Sequence, residues 1–225
     1  MAATPAFAPR RPAPMLSPDA RSRIARLGAD LAGDDPVLPA LRDALAALDA
    51  LSPEAAFAVE YEVAAAILSG YMGHDATQPG DDRHWRRIVM FDVQIEAAPD
   101  LAWILLFDSN GHVREAALRR LKGPMVSPFR VAALAVRLND WAAPVRTAAA
   151  AALRRCGTST DPRMIAAAAL ALIERSRTWG RWTASERAEL EALVARPDVA
   201  AELGGILRPP KGQSSKPSWR GRMSP

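Results

Sequence analysis

Apolar residues recur at three- and four-residue spacing along much of the chain, and this period is typical of amphipathic helices. Two helices are predicted to begin at Ser17-Pro18-Asp19 and at Ser52-Pro53-Glu54. Each triplet supplies an N-cap serine, a proline at the first helical position and an acidic residue in the first turn. The most regular spacing belongs to the helix between them, with Leu38, Leu41, Leu45, Leu48 and Leu51.

The same pattern continues to about residue 203. A third helix is predicted from residue 52 to about residue 71, and later helices at 82–97, 101–107, 111–121, 128–138, 143–155, 164–173, 184–195 and 197–203. Runs of β-branched and aromatic residues, which are typical of strands, are scarce. The predicted fold class is therefore all-α.

Two stretches of this pattern repeat each other 32 residues apart. In each, an Asp is followed five residues later by Val and six residues later by Arg: Asp108, Val113 and Arg114, then Asp140, Val145 and Arg146. Counted from each Val, apolar residues lie at i, i+3, i+4 and i+8, and these positions form one face of a helix. A repeat of this length predicts stacked helical hairpins, an architecture used mainly for binding.

Residues 101–156, which carry both copies of the signature, resemble HEAT repeats in the short form seen in HEAT proteins of the phycobilisome-lyase type. The resemblance implies an α-solenoid of antiparallel helix hairpins. It also implies a ladder of Asp and Arg side chains between repeats, formed here by Asp108, Arg114, Asp140 and Arg146 with Val113 and Val145 beside them. A third hairpin matches weakly, because Asp161 has no Val-Arg pair at the required offset.

Four segments are predicted along the chain. Residues 1–16 form a disordered arm rich in Pro and Ala, and residues 17–98 form an N-terminal helical cap. Residues 99–205 hold the HEAT-like repeats, and residues 206–225 form a disordered basic tail. The degenerate third hairpin leads to the further hypothesis that the chain is a truncated or frame-shifted form of a longer array.

The charge is unevenly distributed. The sequence has a net charge of +4 and a pI of about 9.8, but seven basic and no acidic residues lie in the end segments 1–16 and 206–225. Residues 17–100 hold 7 basic and 15 acidic side chains, whereas residues 101–205 hold 15 basic and 10 acidic ones. This asymmetry could orient an anionic partner on the repeat half, but solvated faces together with the charge of the end segments are the preferred explanation.

Catalytic and metal chemistry find little support in the sequence. The single cysteine, Cys156, closes a repeat helix and is expected to be a small core residue. A polar loop contains His74, Asp75, Asp81, Asp82 and His84, but no pair has the helical spacing of a metal motif, so turn and cap roles are expected. His112 is expected to be exposed. With no phosphate loop or hydrolase signature, the sequence predicts no enzyme, no cofactor and no metal.

The non-repeating residues around the turns are the candidates for an interaction surface. Trp141 follows the second ladder Asp, and an Arg-rich turn contains Arg177, Trp179, Arg181 and Trp182. Such a turn suits phosphate contact and base stacking, as in HEAT-like alkylpurine DNA glycosylases, whose Trp and Asp arrangement is not found here. Packing of the tryptophans between helices is nevertheless the favoured interpretation.

The preferred functional hypothesis is a scaffold or adaptor that binds an unidentified protein partner. Its alternatives are nucleic-acid binding of the alkylpurine-glycosylase type, and a HEAT protein of the lyase type that acts on a client protein. The apolar run 165–173 is too short to cross a bilayer, and the first residues lack the apolar core of a secretory signal. The chain is therefore expected to be cytoplasmic, without a membrane partner.

Overall fold

The fold is helical throughout the part that the structure describes. A computed structural model describes residues 14–33, 37–74 and 94–208, apart from the side chains of residues 73 and 74, and contains no strand within those ranges. Two 3₁₀-helices, Pro53–Phe57 and Arg137–Asn139, accompany the α-helices. The α-helices with fully described bounds are α1 (Pro18–Ala32), α2 (Val37–Asp49), α3 (Glu60–His74), α4 (Leu101–Leu105), α5 (Gly111–Arg120), α6 (Pro128–Val136), α7 (Ala143–Gly157), α8 (Pro162–Ser176), α9 (Ala184–Val194) and α10 (Pro197–Leu207).

Helices α1 and α3 pack with their backbones almost in contact. A Cβ atom added at Gly28 would lie 2.1 Å from the main-chain oxygen of Ile67, and one added at Gly70 would lie 1.7 Å from that of Ala25. Only glycine leaves room for two helix backbones at this separation. The crossing gives the N-terminal helices their own well-packed contact.

From α5 onward, the helices pack on the helix two places along the chain. Helix α5 contacts α7, and α7 contacts α9; helix α6 contacts α8, and α8 contacts α10. Helix α4 contacts α5, and α6 contacts α7, so the consecutive helices form hairpins. The N-terminal ends of α5 and α7 lie side by side, and residues of both line one groove.

Helix α6 lies at the centre of the core. All of its residues from 129 to 135 are buried, including the charged Arg130. Small side chains allow the neighbouring helices to approach closely, and many buried positions are alanine: Ala132, Ala149, Ala152, Ala166 and Ala168. The high alanine content of the sequence thus contributes directly to packing.

The helix pattern differs from the sequence prediction at two places. The helix predicted from residue 52 to about 71 is broken near Val59, because the 3₁₀-helix Pro53–Phe57 packs on α6 and α8 whereas α3 packs on α1. Helix α10 continues through Gly204 and Gly205 to Leu207, past the predicted end at residue 203. Both glycines keep negative φ angles, since Gly123 is the positive-φ residue of the described chain, and a helix tolerates such glycines at modest cost.

Several sequence predictions fall outside the described residues. They include nearly all of the predicted arm and tail, and most of the helix predicted at 82–97, of which residues 94–97 are described and helical. The polar loop with Asp75, Asp81, Asp82 and His84, together with the side chain of His74, also lies outside them.

Candidate interaction surface

Arg114 and Asp140 form a buried ion pair between two hairpins. The guanidinium Nε and Nη2 atoms of Arg114 donate to the two carboxylate oxygens of Asp140 at 2.8 and 2.9 Å. Its Nη1 atom donates to the main-chain oxygen of Asp108 at 2.7 Å and of Ser109 at 3.1 Å. Arg114 therefore joins the turn before its own helix to the corresponding turn of the next hairpin.

Arg146 repeats half of this arrangement. Its Nη1 atom donates to the main-chain oxygens of Asp140 and Trp141 at 3.0 and 3.4 Å, as Arg114 does one repeat earlier. The carboxylate that it meets in the next hairpin belongs to Glu186 on α9, with Nε and Oε1 3.7 Å apart. The third hairpin thus supplies a carboxylate from a helix rather than from the turn.

Hydrogen bonds at the start of α9 stabilise the ionised carboxylate of Glu186. Burial alone would raise the pKa of Glu186, but hydrogen bonds from Thr183 and the nearby Arg146 outweigh it, so the pKa lies below its usual value. The carboxylate accepts from the main-chain N–H of Thr183 at 2.7 Å and from its hydroxyl. This capping box fixes the start of α9.

Two further charged residues extend the network, the buried Arg137 and the half-exposed Glu60, and the sequence analysis did not identify them. Arg137 donates to both carboxylate oxygens of Glu60 at 2.8 and 2.6 Å and to Asp140 at 3.3 Å. Glu60 starts α3, 77 residues away, and belongs to no sequence motif. The sequence feature that could have pointed to Arg137 is its position three residues before Asp140, the second Asp of the repeated signature.

The other ladder positions lie where they can support these contacts. Val113 and Val145 are buried, 2 % and 1 % exposed. The Asp108 carboxylate is also buried and accepts from the main-chain N–H of Asn110 at 2.7 Å. The Asp140 carboxylate accepts in the same way from Ala142 at 3.0 Å. Each Asp therefore organises the turn before its helix.

Trp141 is the most exposed tryptophan among the described residues, with 69 % of its surface accessible. Its ring centroid lies 5.9 Å from the guanidinium carbon of Arg114. Beside it is an open groove of about 630 Å³ between the N-terminal ends of α5 and α7. The groove is lined mainly by small and apolar residues, among them Gly111, Ala142, Ala143, Pro144 and Val145.

The Arg-rich turn offers a smaller surface than its sequence suggests. Trp179 is buried and packs edge-on against the partly buried Trp182, with ring centroids 4.9 Å apart. Arg187 covers the Trp182 ring at 4.9 Å. Arg177 and Arg181 are exposed. The structure therefore places neither Trp179 nor Trp182 beside Trp141 on an open face.

No group of three or more His, Cys, Asp and Glu side chains in residues 14–33, 37–72 and 94–208 is arranged to hold a metal ion. Cys156 is fully buried, and burial raises the pKa of its thiol. His112 is exposed. No helix in the described ranges combines the length and the apolar character needed to span a membrane.

Comparisons with protein-family models, with curated proteins and with solved structures found no match to this chain.

Proposed function

We propose that residues 101–207 form a short α-solenoid of the HEAT type, with the preceding helices as a cap. The contacts of α5 with α7 and α9, and of α6 with α8 and α10, support this arrangement. The buried pair of Arg114 and Asp140, followed by Arg146 and Glu186 one hairpin later, has the form of a ladder between repeats. The ladder side chains are committed to holding hairpins together.

The function that this geometry supports best is that of a scaffold or adaptor, with the groove beside Trp141 as its partner-binding surface. The observation that carries the proposal is the exposed indole of Trp141, held next to an apolar groove by a buried arginine. Large aromatic side chains contribute much of the binding energy at protein interfaces. A rigid support lowers the entropic cost of binding.

Nucleic-acid binding is the less favoured alternative, because many arginines of the repeat half already have partners. Residues that bind carboxylates include Arg114, Arg130, Arg137, Arg146, Arg154, Arg163 and Arg196. Arg155 donates to the main-chain oxygens of Leu118 and Leu121 at 2.8 and 2.9 Å. The buried Trp179 offers no stacking face. A salt titration with duplex and single-stranded DNA tests this alternative: binding that is strong at low salt would favour it.

The adaptor proposal is tested by affinity capture followed by mass spectrometry, with three forms of the full chain. The wild type is compared with Trp141→Ala and with Tyr61→Ala, which removes another exposed aromatic residue, on α3. We expect at least one protein to be captured by the wild type and by Tyr61→Ala and lost with Trp141→Ala. Capture that is equal in all three forms would contradict the assignment of this surface.

A further inference from the structure

The groove beside Trp141 has the chemistry of a site for extended, proline-rich chain. Such segments adopt the polyproline II conformation, lose little entropy on binding, and dock in grooves lined by aromatic side chains. Trp141 offers an exposed ring and an indole N–H that can donate to a main-chain carbonyl. Pro144, Ala142 and Ala143 provide a shallow apolar wall beside it.

The chain carries a segment of this kind next to its first described residues. Residues 1–13 contain Pro5, Pro9 and Pro12, with Phe7 between the first two prolines. The segment also contains two arginines, Arg10 and Arg11, and no acidic residue. Its composition disfavours a helix and favours an extended conformation.

The chain immediately after this segment is anchored within reach of the groove. The main-chain N–H groups of Met15 and Leu16 donate to the Glu62 carboxylate at 2.7 and 3.1 Å. Two residues earlier in α3, Glu60 binds Arg137, which in turn contacts Asp140, the neighbour of Trp141 in the chain. Summed bond lengths along these contacts limit the distance from Met15 to Trp141 to about 35 Å, while thirteen residues of polyproline II span about 40 Å.

Charge favours the same occupant. Glu115 is the acidic residue that lines the groove, and residues 1–13 carry two arginines and no acidic residue. Glu115 contacts Arg119, whose side chain is 69 % exposed. The Glu115 side chain is itself only 17 % exposed. An arginine of residues 1–13 that reaches the groove competes with Arg119 for this carboxylate, and the largely exposed Arg119 loses little when it returns to solvent.

We infer that residues 1–13 bind in the groove beside Trp141 as an extended segment and thereby occupy the surface through which a partner binds. This inference rests on the proposed function for the role of the groove. It adds a regulatory element, because a partner must displace residues 1–13, which we call the arm from here on. The arm is tethered, so its effective concentration at the groove is high even when its intrinsic affinity is low.

The test places a photo-crosslinking residue, p-benzoylphenylalanine, at position 143 of the full chain, where the exposed Ala143 lines the groove. After irradiation, mass spectrometry identifies the captured peptide. We expect residues 1–13 of the same molecule. Adding Trp141→Ala should reduce this crosslink by about tenfold, as expected for loss of an aromatic anchor, whereas adding Tyr61→Ala should not change it.

A second variant tests whether the prolines of the arm matter. Replacing Pro5, Pro9 and Pro12 by Ala should weaken the crosslink, because the segment loses its preference for the extended conformation. The matched control replaces Pro209, Pro210 and Pro217 by Ala in the other proline-bearing end of the chain, and it should leave the crosslink unchanged.

Three results would overturn the inference: capture of residues 209–225, capture of a second copy in a mixture of isotope-labelled and unlabelled chains, or no captured peptide. These results are distinct from failure of the adaptor proposal. If affinity capture still depends on Trp141 while the arm is not crosslinked, the inference alone fails. If the arm is crosslinked but no protein depends on Trp141, the adaptor proposal alone fails.

Discussion

The guanidinium of Arg114 and the carboxylate of Asp140 face each other with two nearly parallel hydrogen bonds, of 2.8 and 2.9 Å, and both side chains are only 2 % exposed. The remaining guanidinium nitrogen is bonded to the oxygen of Asp108. Removing two charges from water is costly, and the cost is offset only when nearly every polar atom has a partner. This pair meets that condition, so each member depends strongly on the other.

Arg114→Met is therefore expected to lower the free energy of unfolding by about 3–5 kcal/mol, because it leaves the Asp140 carboxylate without its main buried partner. Urea denaturation followed by circular dichroism measures the change. Arg119→Met serves as the control, because the Arg119 side chain, which pairs with Glu115, is 69 % exposed, and ion pairs of solvent-exposed side chains contribute roughly 1 kcal/mol or less. Equal losses of unfolding free energy in the two variants would contradict a larger contribution from the buried pair.

The uneven charge of the sequence finds part of its explanation in contacts between the two halves of the chain. Asp49, at the end of α2, accepts hydrogen bonds from Ser127 at 2.7 Å and from Arg130 at 2.8 and 2.7 Å. Glu60, at the start of α3, binds Arg137. The acidic N-terminal half thus neutralises arginines of the basic repeat half, which reduces the charge left to attract an anionic partner.

Asp49→Ala is expected to destabilise the chain by about 1–3 kcal/mol, because Ser127 and the Arg130 guanidinium lose a shared acceptor. Asp49 is only partly exposed, whereas Asp19, which pairs with Arg23, is 71 % exposed. Asp19→Ala is accordingly the control and should change stability by a few tenths of a kcal/mol. Thermal unfolding at low ionic strength compares the two, and a larger effect of Asp19→Ala would contradict this account.

The sequence predicted the features that depend on local spacing and missed those that depend on distant packing. Helix positions follow from the 3.6-residue period, which also puts Val113 and Val145 on buried faces. The partners Glu60 and Arg137 lie 77 residues apart in the sequence. No local period encodes such a contact.

Only one of the two roles of Glu186 could be predicted from the sequence. Thr183 and Glu186 have the spacing of a capping box, which is visible in sequence. The second role of Glu186, facing Arg146, requires α9 to pack on α7. The exposure of Trp141 and the burial of Trp179 likewise depend on how the hairpins meet rather than on the neighbouring residues.

The depressed pKa of Glu186 predicts a specific dependence of stability on pH. Because the carboxyl has a lower pKa folded than unfolded, its contribution is fully present above its unfolded pKa of about 4.3. The contribution is lost as the pH falls through the folded pKa. Glu186→Gln should therefore be less stable than the wild type at pH 7, and the difference should shrink at pH 3. Urea titrations at both values measure it, and a difference that does not depend on pH would count against the assignment.

The close crossing of α1 and α3 predicts opposite effects for alanine at different glycines. Gly70→Ala places a methyl group 1.7 Å from the oxygen of Ala25, so the two helices must separate, and overpacking of this kind costs about 1–3 kcal/mol or more. Gly204 is the matched control, because it lies within α10 and a Cβ there meets no atom within 4 Å. Gly204→Ala should raise stability by roughly 0.5–1 kcal/mol, since alanine is the better helix former. Hydrogen exchange then reports where the loss occurs. In Gly70→Ala it should increase first in α1 and α3, whereas an increase confined to α6–α8 would mean that the N-terminal crossing is not the part destabilised.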